Sequence, residues 1–223
     1  MIEATLELAG LRTIAIGDPG GELAVVVLHG REMAGADLAP FARSLGVEAY
    51  YLFPDGPHAI EPRGRSWWPV DSEARLRRLA SGPLELSAMD PPGRAEARAS
   101  LARLIAGLSQ RRVVLVGFSQ GGMLAMDYVL HADSQPAALA VLSSTRIALA
   151  DWQPRASRLQ GLPVLVTHGR HDPELSFAAG ELLRDFAIAG GASVSWLPFD
   201  GGHEIPLVVW RALRKLLREL TAT

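Results

Sequence analysis

The stretch Arg112-Val-Val-Leu-Val-Gly-Phe-Ser119-Gln-Gly-Gly-Met-Leu-Ala-Met126 decides how the rest of this chain is organised. It opens with β-branched and aliphatic residues typical of a strand buried on both faces, and it closes with a run compatible with a helix. The G-x-S-x-G motif at 117–121 joins the two. Because a sharp strand-to-helix turn strains its middle residue and admits only small neighbours, we favour a catalytic Ser119 over an ordinary turn.

The composition is that of an ordinary globular protein. The chain has 223 residues, 48% of them hydrophobic and 21% charged, which is enough to bury a substantial core in one large domain. Lys and Arg number 22 and Asp and Glu 24, so there is no basic excess for binding nucleic acid. Cysteine is absent, which excludes disulfides, thiolate nucleophiles and Cys-based metal sites.

The patterning also bears on location. The first residues, Met1-Ile-Glu-Ala-Thr-Leu-Glu, have neither the positive charge nor the apolar run of a signal peptide. No apolar run approaches the roughly 18 residues of a transmembrane helix. Together with the missing cysteines, this leads us to expect a cytoplasmic protein without a transmembrane segment.

Strand and helix patterns alternate from residue 23 to the end. Short alternating segments at 2–8 and 12–16 predict a hairpin or a pair of edge strands. Further strands are predicted at 23–28, 47–53, 113–116, 137–142, 162–167 and 193–197, and helices at 38–45, 95–108, 123–131, 174–189 and 206–220. Asp37 is the predicted N-cap of the first helix. The alternation predicts a single α/β domain over 1–223, with a mostly parallel central sheet flanked by helices on both faces.

One segment breaks this pattern. Residues 54–93 are rich in proline and turn residues, with only a short basic helical piece at 71–79. An excursion of this length inside a compact domain is usually functional or mobile. It carries the adjacent Trp67 and Trp68, which alternation would send to opposite sides, so we expect at most one of them to line a substrate pocket. Anchoring of the excursion by both tryptophans is the alternative.

A serine nucleophile needs a base and a group that orients the base. His203 follows the last predicted strand, after two glycines that let the loop turn close to the site. The order Ser119, Asp172, His203 is the one found with this serine motif, which favours these three as a catalytic triad. Asp172 could instead cap the following helix, with Pro173 at its first position. Asp200, three residues before His203, is the rival acid.

Two further groups of polar residues follow strand ends. His168, His171 and Asp172 have the residue types of a metal site, but they span a loop without a further ligand cluster, so we expect no metal. For the second group we expect the backbone N–H groups of Arg31 and Gln120 to point at a developing oxyanion and stabilise it.

These motifs resemble those of the carboxylesterase/phospholipase family of α/β-hydrolases, which includes acyl-protein thioesterases and small bacterial carboxylesterases. The matching pieces are Leu28-His-Gly30, Arg65-Ser-Trp-Trp68, Gly117-Phe-Ser-Gln-Gly-Gly122, His168-Gly-x-x-Asp172 and Gly202-His203. The resemblance implies an α/β-hydrolase fold, the triad above, and the amides of Arg31 and Gln120 as oxyanion hole. The segment Arg31-Glu-Met33 departs from the Gly-rich sequence common at that point in the family.

The predicted function is therefore that of a carboxylesterase-type serine hydrolase. We expect it to cleave esters of short to medium acyl chains through an acyl-enzyme, because no extended apolar lid is visible that could shelter a long chain. Thioester or lysophospholipid hydrolysis remains an alternative, and so does a non-catalytic binding protein on a hydrolase fold. The expected partner is a small-molecule ester. We expect no cofactor, and homodimer formation stays open.

Overall fold

A computed structural model describes residues 3–110 and 112–221 of the chain. Ile2, which begins the first predicted strand, lies outside the described residues. The strands are β1 Glu3–Leu8, β2 Leu11–Ile16, β3 Leu23–Leu28, β4 Tyr50–Pro54, β5 His58–Ile60, β6 Gly64–Ser66, β7 Arg112–Phe118, β8 Ala138–Leu142, β9 Pro163–Gly169 and β10 Ser193–Phe199. The helices are α1 Gly35–Leu38, α2 Pro40–Leu45, α3 Ser72–Leu79, α4 Arg94–Ala106, α5 Gln120–His131, α6 Leu149–Trp152, α7 Phe177–Ala189 and α8 Leu207–Thr221.

Eight of these strands form one sheet in the order β1-β2-β4-β3-β7-β8-β9-β10. The six strands from β4 to β10 in that order are parallel, and β2 and β1 continue the sheet as antiparallel strands. The strand β7, which leads into Ser119, lies near the middle, between β3 and β8. The carboxyl ends of β3, β7, β9 and β10 therefore meet at one edge of the sheet, where sites form in α/β folds.

Helices cover both faces of this sheet, because successive side chains of each strand point to opposite sides. On β3, Val26 and Leu28 pack into the core under α4, α5 and α7. Val25 and Val27 pack into the second core, with α1, α2 and α8. Strands buried on both faces require the continuous apolar runs seen in the sequence. The predicted α/β architecture with a mostly parallel sheet is thus confirmed.

Besides α5, which begins at Gln120 rather than at 123, two helix starts differ from the prediction next to acidic residues. Asp37 is not an N-cap: it lies inside α1, and its carboxylate accepts a hydrogen bond from the amide of Ala34 at 2.7 Å. The helix predicted at 174–189 begins at Phe177, with Ser176 as its N-cap. Both errors have one cause, because an acidic residue near a helix start satisfies free N–H groups from more than one position.

The excursion at 54–93 contains more structure than its sequence suggested. It carries the small antiparallel hairpin β5–β6 and the helix α3, which is capped by Asp71. None of the side chains of α3 is buried. Among the described residues, none of the helices combines the length and the hydrophobicity needed to span a bilayer.

Candidate active site

Ser119 stands at the junction of β7 and α5 in a strained backbone conformation, with φ of 53° and ψ of −118°. Small neighbours are required because the chain segments approach closely here. A Cβ atom on Gly121 would lie 2.3 Å from the carbonyl oxygen of Leu28, and one on Gly117 would lie 2.3 Å from that of Gly121. The motif glycines therefore let β3, β7 and α5 converge beneath a serine held at the sheet edge.

Ser119, His203 and Asp172 form a chain of hydrogen bonds. The Oγ atom of Ser119 lies 2.9 Å from Nε2 of His203. Nδ1 of the same ring lies 2.7 Å from Oδ2 of Asp172. Because a carboxylate only accepts, Nδ1 carries the proton, and Nε2 is left to accept from the serine hydroxyl. The structure thus brings together three residues that are 84 and 31 positions apart in sequence.

Asp172 also caps the turn that follows it. Its Oδ1 atom accepts from the amides of Glu174 at 2.8 Å and Leu175 at 2.9 Å. Burial alone would raise the pKa of Asp172, but the hydrogen bond and charge of His203 and the two amides hold that pKa below its ordinary value. The capping bonds and the contact with His203 therefore use different oxygens of one carboxylate. Asp200 is exposed and pairs with His171 instead, at 2.8 Å.

His168 lies beneath Asp172 as a buried neutral support. Its Nε2 atom donates to the carbonyl of Leu175 at 3.0 Å and lies 3.4 Å from Oδ2 of Asp172. Burial lowers the pKa of His168. His171 points to solvent, where its ring is 72% exposed. The two histidines of the 168–172 segment therefore do not face a common ligand position.

A cavity of about 550 Å³ opens beside Ser119 and His203. Much of its wall is apolar and includes Trp68, Val70, Leu84, Leu86, Met89, Met123, Ile147 and Leu175. Charged side chains complete it, among them Arg31, Glu32, Asp71, Arg75, Arg78, Asp90 and Glu174. The helix α3 supplies one side of this wall. The excursion at 54–93 therefore lies over the same edge of the sheet as the serine.

The two tryptophans of the excursion point different ways. Trp68 lines the cavity, whereas Trp67 is buried behind it. The indole N–H of Trp67 donates to the carbonyl of His29 at 2.8 Å, and its backbone amide donates to Oε1 of Gln120 at 2.9 Å. Its ring also stacks on His29, with centroids 5.0 Å apart. Trp67 thus anchors the excursion to the residues that flank the site.

His29 has a positioning role that the sequence did not reveal. Burial lowers the pKa of His29. Nδ1 of His29 donates to the carbonyl of Gly30 at 2.7 Å. Nε2 of the same ring accepts from the amide of Gly56 at 2.9 Å. The neutral ring therefore ties the end of β3 to the start of the excursion. In the sequence, only the position of His29 directly after a buried strand pointed to this role.

Arg31 and Gln120 both line the cavity. In the described part of the chain neither backbone amide has a hydrogen-bond acceptor, although the neighbouring amides of Glu32 and Met33 are bonded to Arg65 and Gly30. Such free donors next to a serine are suited to an oxyanion. Glu32, at the point where the sequence departs from the Gly-rich pattern, has a positive φ of 68°.

Glu174 is a charged neighbour of the site that sequence reasoning missed. Its Oε2 atom lies 3.7 Å from Nε2 of His203. The same oxygen accepts from Arg75 of α3 at 2.5 Å. The backbone of Glu174 accepts from Leu84, so the excursion is joined to the segment after Asp172 by both a side chain and the main chain. No sequence signal distinguishes this glutamate from an ordinary helix-start acid.

Within the described residues, a second group of side chains has the residue types that bind metal ions. Single ligand atoms of Asp127, His131 and Asp151 lie within 4.8 Å of one another. Guanidinium groups already occupy these carboxylates: Arg94 bonds to Asp127 at 2.5 Å and to Asp151 at 2.9 Å, and Arg98 bonds to Asp127 at 2.8 Å. A cation would compete with these fixed positive charges, so the cluster is an ion-pair network between helices.

The sequence profile of the phospholipase/carboxylesterase family matches residues 99–221, more than half of the chain. Acyl-protein thioesterase 1 of Neurospora crassa is 29% identical over 117 residues, which are 51% of this chain and 48% of that protein. The chain therefore spans about half the length of this curated relative in the match.

Solved structures match over almost the whole chain. The crystal structure of esterase PE8 is 27% identical, covers 94% of this chain and 98% of its own, and superposes with a TM-score of 0.75. The crystal structure of acyl-protein thioesterase 2 of Zea mays is 19% identical, covers 93% of this chain and 98% of its own, and superposes with a TM-score of 0.74. This likeness shows a shared fold. The family resemblance and the α/β-hydrolase fold predicted from the sequence are thereby confirmed.

Proposed function

The chain belongs to the phospholipase/carboxylesterase family, and on that premise we propose that it is a serine hydrolase of carboxylic esters. The observation that carries the proposal is the chain of hydrogen bonds from Asp172 through His203 to Ser119, at the edge of a cavity of about 550 Å³. In this proposal the chain works as one α/β-hydrolase domain over 1–223, acting on a small-molecule ester in the cytoplasm.

In the proposed reaction the Oγ atom of Ser119 attacks the ester carbonyl while Nε2 of His203 takes the hydroxyl proton. The imidazolium then gives this proton to the departing alkoxide, which leaves as the alcohol. Water attacks the resulting acyl-enzyme by the reverse path and releases the carboxylic acid. Asp172 keeps the proton on Nδ1 and stabilises the positive ring, which its pKa, held below the ordinary value, supports.

The carbonyl oxygen becomes negatively charged in the tetrahedral intermediate. We propose that the amides of Arg31 and Gln120 bind this oxygen, since both residues line the cavity and neither amide has another acceptor in the described chain. Gln120 begins α5, so the helix N-terminus adds a favourable field at the same point. Loss of one such donor typically reduces turnover by about 10²–10³-fold.

The acyl group of the substrate is proposed to lie against the apolar wall that includes Trp68, Leu86 and Met123. Each buried CH₂ contributes about 0.8 kcal/mol, so this wall would grade esters by acyl length. We propose a preference for short to medium chains. Thioester hydrolysis is a second candidate, because the relative in Neurospora crassa is named as an acyl-protein thioesterase and the same groups would suffice.

Labelling with a fluorophosphonate probe tests the nucleophile directly. We expect the wild-type protein to be labelled and the Ser119→Ala variant to stay folded but unlabelled, with ester turnover lower by about 10⁴-fold or more. Ser100→Ala, at a half-buried serine on α4, is the matched control and should label normally. Undiminished labelling or turnover of Ser119→Ala would refute the assignment. An unlabelled, inactive wild-type protein would favour a binding protein on this fold.

A series of p-nitrophenyl esters graded by acyl length, with matched thioesters beside them, tests the substrate. The expected result is a maximum of kcat/KM at short to medium chains. A steady rise toward long-chain esters would contradict the proposed preference. Higher kcat/KM for every thioester than for its ester would favour the second candidate.

A further inference from the structure

The outward face of the C-terminal helix α8 carries a stripe of cations. Arg211, Arg214, Lys215 and Arg218 are spaced i, i+3, i+4 and i+7, which places them on one side of a helix. The opposite side, with Val209, Trp210, Leu213 and Leu217, is buried against the sheet. The stripe therefore faces away from the protein, although the chain as a whole has a net charge of −2.

These cations have few internal partners. Within residues 3–110 and 112–221, the only carboxylate in ion-pair range of any of them is Glu219, 3.8 Å from Lys215, and both groups of that pair are largely exposed. Arg214 donates to the carbonyl of Ser44 and so joins α8 to α2. Arg211, Lys215 and Arg218 are all exposed. Their charges are thus available to an external anionic surface.

Exposed apolar side chains lie at the start of the same face. Leu207 is 63% exposed and precedes Arg211 by four residues, so it continues the stripe by one turn. Val208 beside it is 42% exposed. Phe41 of α2 is 36% exposed and stacks on Trp210, on the buried side of α8, with centroids 4.3 Å apart. Arg214 of the stripe contacts Ser44 of the same helix α2, so Phe41 lies on the helix that borders the stripe. The face therefore combines cations with a small apolar edge.

We infer that this face, formed by α8 with Phe41, docks on an anionic lipid surface. A negatively charged bilayer attracts clustered Lys and Arg, while Leu207, Val208 and Phe41 enter the boundary between headgroups and acyl chains. A nucleic acid or a polypeptide of acidic residues alone would satisfy the cations but leave the apolar edge in water. The combination of both kinds of side chain on one face favours the lipid. Docking of this kind is independent of the proposed hydrolysis.

Flotation with phospholipid vesicles tests the inference. We expect the protein to bind vesicles of equal parts phosphatidylcholine and phosphatidylglycerol in low-salt buffer, to leave pure phosphatidylcholine vesicles unbound, and to lose binding at high salt. A cation near an anionic membrane gains about 1 kcal/mol, which is a factor of about five. The triple variant Arg211→Gln, Lys215→Gln, Arg218→Gln should therefore partition on the order of 100-fold more weakly. Arg214 is retained because it contacts Ser44.

The matched control removes the same charge elsewhere, in the triple variant Arg63→Gln, Arg77→Gln, Arg103→Gln, whose side chains are exposed outside this face. It should bind the vesicles nearly as the wild type does. Equal loss of binding in the two triple variants, or no binding of the wild-type protein, would overturn the inference. Binding to soluble polyglutamate without binding to vesicles would overturn it in favour of an acidic protein. Circular dichroism of each variant confirms that the fold is intact.

Discussion

Replacement of Asp127 by alanine should destabilise the fold more than any surface ion-pair substitution. The carboxylate of Asp127 is fully buried and accepts from Arg94 at 2.5 Å, from Arg98 at 2.8 Å and from the indole of Trp152 at 2.7 Å. These bonds join α5, which begins directly after Ser119, to α4 and α6. Alanine would leave three donors without this acceptor in a region with little access to water.

The expected loss in the free energy of unfolding depends on which hydrogen bonds Arg94 keeps after the substitution. Breaking a buried ion pair by removing one partner costs about 3–5 kcal/mol. Arg94 keeps its bonds to Asp90 and Asp151, so the lower end, about 3 kcal/mol, is expected. Burial alone would lower the pKa of Arg94, but its bond to Asp90, the charge and bond of Asp127 and its bond to Asp151 raise that pKa. A guanidinium is not deprotonated in proteins, so Arg94 stays charged in the variant.

Urea and thermal unfolding followed by circular dichroism measure this loss. For a chain of this size, about 3 kcal/mol corresponds to a fall in Tm of about 6–12 °C. The control is Glu73→Ala, which removes an exposed pair with Arg77 and should cost less than about 1 kcal/mol. If Asp127→Ala lost no more free energy of unfolding than Glu73→Ala, the reasoning about the buried network would be wrong.

Three further predictions concern the site. Asp172→Asn should reduce ester kcat by about 10⁴-fold, whereas Asp200→Asn should leave it within about twofold, because only the first carboxylate contacts His203, the proposed base. A steady-state assay that finds Asp200 the costlier change refutes this. Trp67→Ala should lower the free energy of unfolding by about 3–5 kcal/mol. Trp68→Ala should change the dependence of kcat/KM on acyl length, and an unchanged profile in this variant contradicts a pocket role for Trp68. The lowered pKa of Asp172 means that the contribution of its carboxylate to stability is fully present above the ordinary value of 3.8 and is lost as pH falls through the lower pKa of the folded protein. The free energies of unfolding of the wild-type protein and Asp172→Asn, measured by urea titration, should therefore begin to converge only below pH 3.8, and a constant difference down to lower pH would contradict this.

The sheet could be predicted because its strands are buried on both faces. The runs at 23–28 and 137–142 match β3 and β8 to within one residue, since a strand under two helical layers must be apolar at every position. Helix starts were predicted less well. The turn capped by Asp172 looks in sequence like the first turn of a helix, although α7 begins only after Ser176.

The excursion at 54–93 shows where local patterns stop being informative. The helix α3 has no buried side chain, so no apolar stripe marks which of its faces lines the cavity. Its position depends on polar contacts with distant residues: Arg31 of the β3 end bonds to Ser72 at 2.8 Å, and Glu174 bonds to Arg75 at 2.5 Å. These contacts join residues 41 and 99 positions apart, so no local periodicity in the sequence predicts them.

The two adjacent tryptophans also show what a local sequence pattern can and cannot predict. Alternation along an extended segment predicts that Trp67 and Trp68 point to opposite sides, and they do, but it does not say which one faces the cavity. That choice depends on Gln120, whose side chain accepts the amide of Trp67 from 53 positions away, and on the buried carbonyl of His29. Gln120 is also the residue whose own amide is the proposed oxyanion donor. The residue that follows Ser119 therefore connects the wall of the cavity to this serine.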